Sequence, residues 1–178
     1  MTNVARREWQ MRIRHAAIIQ RAPGVVFSWI AEPARAAQWQ PDVAEYEITA
    51  PAPGVVGTAF RERLGDRTGS MEMRGRITSY RRGRLIGFEL HGRGLTVRPR
   101  YILWPYGDAT ELHVVLDVRV LGPLTRLLEP VLRPRFERQL TADVERLRVM
   151  CEAEDDSATR DDGTDTRVVA PTLAARPV

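Results

Sequence analysis

Lysine is missing from this chain: all 27 basic residues are arginines, set against 23 acids. GC-rich coding produces such a complement, so the arginines mark no site by themselves, and with no lysine there is no P-loop. A single cysteine, Cys151, cannot form an internal disulfide, which fits a reducing cytoplasm. No apolar run approaches the ~18–20 residues that span a bilayer, which argues against stable membrane insertion. The N-terminus, Met-Thr-Asn-Val-Ala-Arg-Arg-Glu, lacks the apolar stretch of a secretory signal. Histidine is scarce too. His15, His91 and His113 have no cysteine or carboxylate at ligand spacing, and no His-Glu-x-x-His occurs, so no metal is expected. There is no Gly-x-Ser-x-Gly elbow. Gly92-Arg93-Gly94 lacks the third glycine and following helix of a dinucleotide fingerprint, so no cofactor is expected.

What remains is an ordinary hydrophobic fraction of 43% over 178 residues, enough for one domain with a real core. Charge is unevenly spread, because the tail from Ala153 is net acidic and the body net basic. Such a body attracts anionic partners only non-specifically.

From about Trp9 to Gln20, apolar residues alternate with Arg12 and Arg14, the period of a half-buried strand. Pro23 opens a short helix to Ala31, Glu32-Pro33 breaks it, and Pro33 opens a second that Pro41 stops. Six strand-like segments follow: Val43–Thr49, Thr58–Leu64, Ser70–Tyr80, Leu85–His91, Leu95–Trp104 and Ala109–Leu121. Their short glycine-bearing turns, 65–69 among them, imply antiparallel neighbours, with the first strand joining an edge. After Gly122-Pro123, apolar residues recur every three or four positions to Met150. Pro130 and Pro134 predict a break near 128–134 and an uninterrupted helix from Arg135 to Glu152. The expected organisation is an extension over residues 1–8, one domain over 9–152, and a disordered acidic-leaning tail over 153–178.

The fold expected is α+β: a curved antiparallel sheet of about seven strands wrapped on a long C-terminal helix, with two short helices between strands 1 and 2. A sheet this wide exceeds a helix ~10–12 Å across, which leaves a concavity to fill. The run Ala22-Pro23-x-x-Val26-Phe27-x-Trp29-Ile30-Ala31-x-Pro33-x-Arg35-x-x-x-Trp39 resembles the START-like, helix-grip superfamily (SRPBCC), closest to its polyketide cyclase/dehydrase-type bacterial branch. Gly57-Thr58-x-Phe60, Gly107-Asp108-Ala109-Thr110 and Leu140-x-x-x-Val144-x-x-Leu147 agree with it. The resemblance is specific for fold and much less so for function, since the superfamily mixes lipid carriers with cyclases.

Strand phase assigns an apolar face of Phe60, Met71, Met73, Phe88, Leu90, Tyr101 and Leu103, with Phe136 and Leu140 from the helix, as ligand-binding candidates. Polar residues in phase with that face are Glu62, His15, Tyr101 and Thr110. Of these, Glu62, His15 and Tyr101 are the catalytic candidates for acid–base work. The first expectation is binding of an apolar, polyketide- or lipid-like small molecule. The alternatives are a polyketide-type cyclase/dehydratase and a docking module using the arginines of the opposite face. Interleaved acids on that face and few stacking aromatics argue against nucleic acid. A monomer or homodimer is expected.

Overall fold

The period-two segments become seven strands: β1 (Glu8–Ile19), β2 (Val43–Ala50), β3 (Ala59–Asp66), β4 (Gly69–Arg81), β5 (Leu85–Gly92), β6 (Leu95–Tyr106) and β7 (Ala109–Leu121). Helices α1 (Pro23–Ala31) and α2 (Pro33–Trp39) fall between β1 and β2, and α3 (Thr125–Ala153) follows β7. These elements belong to a computed structural model that describes residues 8–66, 69–121 and 125–154. The expectations for residues 1–7, 67–68, Gly122-Pro123 and the tail from residue 155 lie outside the described residues.

The sheet order is β1-β7-β6-β5-β4-β3-β2, so β1 pairs with the last strand and every neighbouring pair is antiparallel. Gly83 and Gly107 take φ of 69° and 58° in the β4–β5 and β6–β7 turns, backbone that a side chain would strain. Register shifts in β2 and in β4 between Ile77 and Ser79 add the local bend that a bulge brings.

One residue serves both short helices. Glu32 is extended at φ −92° and ψ 126°, as the residue before a proline must be, and so ends α1 while Pro33 starts α2. Their buried tryptophans are wired in series. The Trp39 indole N–H donates to the Trp29 carbonyl at 3.0 Å, and the Trp29 indole donates to Glu154 at 2.6 Å. Arg35 stacks 5.2 Å over the Trp29 ring and reaches the same carboxylate at 2.7 Å. Arg21 caps the end of α3, donating to the carbonyls of Cys151 (3.0 Å) and Glu152 (2.9 Å) that no helical N–H reaches. Residues 20–39 therefore clasp the end of the long helix to the sheet.

Helix α3 lies along β1 and touches α1 and α2, burying Phe136, Leu140, Val144, Leu147 and Cys151. It departs from expectation in one respect. Pro130 and Pro134 both sit inside a helix that is continuous from Thr125. Pro130 is solvent-exposed, and each proline removes a single amide from a helical ladder that continues on either side of it. Among the described residues, no helix is long and apolar enough to cross a membrane.

Candidate functional site

The inward face of the sheet carries a diagonal of aromatic rings. Tyr46 on β2 stacks on Phe60 of β3 at 5.2 Å between centroids. Phe60 meets Phe88 of β5 edge-on at 6.2 Å, Phe88 meets Tyr101 of β6 at 6.4 Å, and Tyr101 meets Trp39 of α2 at 6.4 Å. Edge-to-face spacing of this kind is favourable beyond area burial alone. Two glycines make room for it. A Cβ on Gly75 would fall 2.2 Å from the Phe60 ring, and one on Gly92 would fall 2.3 Å from the Met73 sulfur.

The strand-phase candidates converge as expected. Phe60, Met73, Phe88, Leu90, Tyr101 and Leu103 from the sheet and Phe136 and Leu140 from α3 are all buried in one cluster, with Met71 partly buried against it. Their near-zero exposure also means that the side chains themselves occupy the space between sheet and helix. A groove of about 330 Å3 does exist, but it is polar and lies outside the sheet, against Gln10, Arg12, Arg98, Asp117 and Arg119.

Within the packed interior, two side chains stand apart. Glu62 is 0% exposed and neither carboxyl oxygen has a hydrogen-bond partner; the Tyr101 hydroxyl is equally buried and equally unpartnered. Burial, with no compensating charge, pushes the Glu62 carboxyl well above the usual carboxylate range and so favours its protonated form. Burial likewise raises the Tyr101 hydroxyl, and Asp143 and Glu62 raise it further when they are ionised. Those two influences place Glu62 and Asp143 each within electrostatic reach of the Tyr101 hydroxyl.

Asp143 was not among the candidates read from strand phase. Its signal was available on the helix, since position 143 falls three after Leu140 and four before Leu147, on the inward stripe. Burial pushes it up to about 6, opposed by Arg146 and by a 3.0 Å hydrogen bond from Gln139. Arg146 also donates to the Trp39 carbonyl at 3.1 Å, which ties this acid to α2.

The other two polar candidates separate from this group. Thr110 is buried but donates to the Arg21 carbonyl at 2.6 Å, which gives it a structural partner in the clasp. His15 is half-buried on β1; it and Tyr101 both pair with Val114, so they share a lateral row two strands apart, about 10 Å between backbones. Glu62 occupies another row, opposite Tyr46 and Met73.

On the outer face the arginines meet acids of the same sheet. Arg12 and Arg100 share Asp117, Arg61 meets Glu47, Arg63 meets Glu45, and Arg74 meets Glu72. Glu89 on β5 is buried beneath Arg76 and Arg98, which hold it at 2.5 Å each. Burial alone would raise its carboxyl, but the hydrogen bonds of Arg98 and Arg76 outweigh that and bring it down to about 2.

Solved structures with the same fold include the ZhuI aromatase/cyclase from Streptomyces sp. R1128, at TM-score 0.66 and 13% identity over 85% of this chain and 99% of that one. Major latex-like protein 151 from Panax ginseng matches at TM-score 0.58 and 10% identity over 79% and 97%. A norcoclaurine synthase point mutant from Thalictrum flavum, in complex with a transition-state analogue, matches at TM-score 0.59 and 14% identity over 82% and 96%. At these identities the likeness shows the helix-grip fold and nothing finer. No curated protein matches the chain. A family model described as polyketide cyclase / dehydrase and lipid transport matches residues 10–152, and the chain belongs to that family.

Proposed function

We propose that the protein binds an apolar small molecule between the concave face of the sheet and α3. The observation that carries this reading is the pair of buried, unpartnered groups, the Glu62 carboxyl and the Tyr101 hydroxyl. An unsatisfied buried polar group costs about 1–3 kcal/mol, and native proteins keep few of them. A ligand oxygen placed between the two would recover that loss, while its apolar body would lie against the aromatic diagonal. Met71 and Met73 are the side chains that yield: both sulfurs lie over Gly92, and methionine is unbranched and changes rotamer easily. Family membership supports the same reading.

Titration with the uncharged fluorophore N-phenyl-1-naphthylamine tests it. Saturable one-site binding is expected, lost in Phe88→Arg and weakened about tenfold (~1.4 kcal/mol) in Met73→Phe, which fills the yielding space while remaining apolar. Unchanged binding in either variant, with near-UV circular dichroism showing it folded, refutes the reading. Native mass spectrometry of the purified protein would show a co-purified molecule directly.

A second reading, a cyclase/dehydratase acting on a polyketide-type substrate, is favoured by the buried, unpartnered Glu62 carboxyl, whose burial favours its protonated form. In a dehydration, Glu62 would give its proton to a leaving hydroxyl, which departs as water. A base would take the proton from the adjacent carbon, and Tyr101 would hold the carbonyl oxygen. Asp143, whose charge is felt at Tyr101, or His15, in the row of Tyr101, would serve as that base. Glu62→Gln separates the two readings: lost turnover with retained binding marks the enzyme. The third expectation, docking through the arginine face, draws no support from arginines already paired within the sheet.

A further inference from the structure

Among the described residues, the ionisable groups buried in the interior are all acids, and this bears on which ligands can enter if the space opens as proposed above. Glu62, Tyr101 and Asp143 are acids of differing strength. No charged group offsets the burial of Glu62, and among the described residues no arginine is buried. Arg146, the guanidinium that meets Asp143, is committed to that carboxylate and to the Trp39 carbonyl. A ligand carboxylate entering this space would be stripped of water with no cation to receive it. An alcohol, phenol or carbonyl loses far less water, and it can complete the hydrogen bonding of both orphaned groups. A carboxyl that donates and a phenolic hydroxyl that donates or accepts together satisfy one neutral oxygen.

We propose that Glu62 is the specificity-determining residue of this interior, selecting apolar ligands that carry an uncharged oxygen and turning away the matching carboxylates, with Tyr101 as the second contact. This places free fatty acids and other apolar carboxylates outside the ligand range, and their alcohols, esters and ketones inside it. The selectivity belongs to this chain's own residues: β3 carries Glu62 opposite Met73, with the yielding methionines beside it. A ligand that enters by displacing them reaches the carboxyl as it reaches the aromatic diagonal.

The test uses three probes of one shape on the full chain at pH 8: 2-(1-naphthyl)ethanol, 1-ethylnaphthalene and 1-naphthaleneacetate, each competing with N-phenyl-1-naphthylamine. Wild type should bind the alcohol about tenfold (~1.4 kcal/mol) tighter than the hydrocarbon, and tighter still than the carboxylate. Glu62→Leu should bring the alcohol down to the hydrocarbon's level while leaving the hydrocarbon's own affinity intact, which also shows that the variant folds. Glu62→Gln, an uncharged donor and acceptor of similar shape, should keep the preference for the alcohol. Binding of the carboxylate within threefold of the alcohol, or a preference that survives in Glu62→Leu, overturns the proposal while leaving ligand binding itself standing. Failure of all three probes to bind wild type would remove the ligand-binding reading and this proposal together.

Discussion

Two glutamates on the same sheet are buried in opposite ways. Glu89 on β5 faces outward, is 5% exposed, and is gripped by guanidinium groups from the strands on either side. Glu62 on β3 faces inward, is 0% exposed, and has nothing to bond. One is held at about 2, ionised through the whole physiological range, while the other is pushed up toward its neutral form. The outer face uses its carboxylates to stitch strands together; the inner face keeps one unsatisfied. A protein that needed only stability would have placed leucine at position 62.

The largest expected effect breaks the outer clamp. Replacing both arginines, Arg76→Met with Arg98→Met, strands a buried carboxylate. Loss of a fully buried pair costs about 3–5 kcal/mol, and the solvent exposure of the arginines reduces this to about 2 kcal/mol. Because the folded-state pKa of Glu89 is depressed, its contribution is present above the unfolded value near 4.5. It is lost as pH falls toward about 2. The difference between wild type and the double variant in urea unfolding should therefore be full at pH 7 and shrink below about pH 4.5. Equal stability at pH 7 would mean that the clamp holds nothing.

The inner glutamate predicts the reverse sign. Glu62→Leu should stabilise the protein by about 1–3 kcal/mol at neutral pH, since it removes an unsatisfied buried group. With its folded-state pKa raised, Glu62 binds more protons folded than unfolded above pH 4.5, so stability falls as pH rises. Asp143 acts in the same direction but only up to about 6. As pH rises from about 4.5, Glu62 should cost wild type at most ~1.4 kcal/mol of stability per unit, and Glu62→Leu should lose markedly less over the same range. Urea unfolding at three pH values measures this, and parallel slopes for the two proteins would contradict it.

Much of this contrast was legible beforehand, and the reason is geometric. A period of two assigns faces without knowledge of the fold, so Glu62, Tyr101 and the paired outer arginines could be placed from alternation alone. Asp143 needed the helical period applied to a polar residue. The deep burial of Glu89 was not legible, because it depends on where the stems of Arg76 and Arg98 lie, and an outward strand position otherwise reads as solvated. Nor was the closure of the interior, which rests on how Met73 and Phe60 settle over glycines of neighbouring strands. Proline chemistry misled on α3, where the loss of two amides was not enough to interrupt 29 residues of helix.

The smallest effects test whether the inner face is rigid throughout or yields on one side. Gly75→Ala would set a Cβ 2.2 Å from the Phe60 ring, which is stacked by Tyr46 and met edge-on by Phe88, so the ring has nowhere to turn. Overpacking of that kind costs about 1–3 kcal/mol. Gly92→Ala would set its Cβ 2.3 Å from the Met73 sulfur, a comparable overlap on paper. Methionine has three rotatable bonds with which to move aside, so the cost should stay below about 1 kcal/mol. The pair of thermal midpoints thus compares an aromatic wall with a yielding one at nearly equal geometric insult. Equal losses in the two variants would show that the methionine side is as fixed as the aromatic side, and entry of a ligand past Met73 would then have no physical basis.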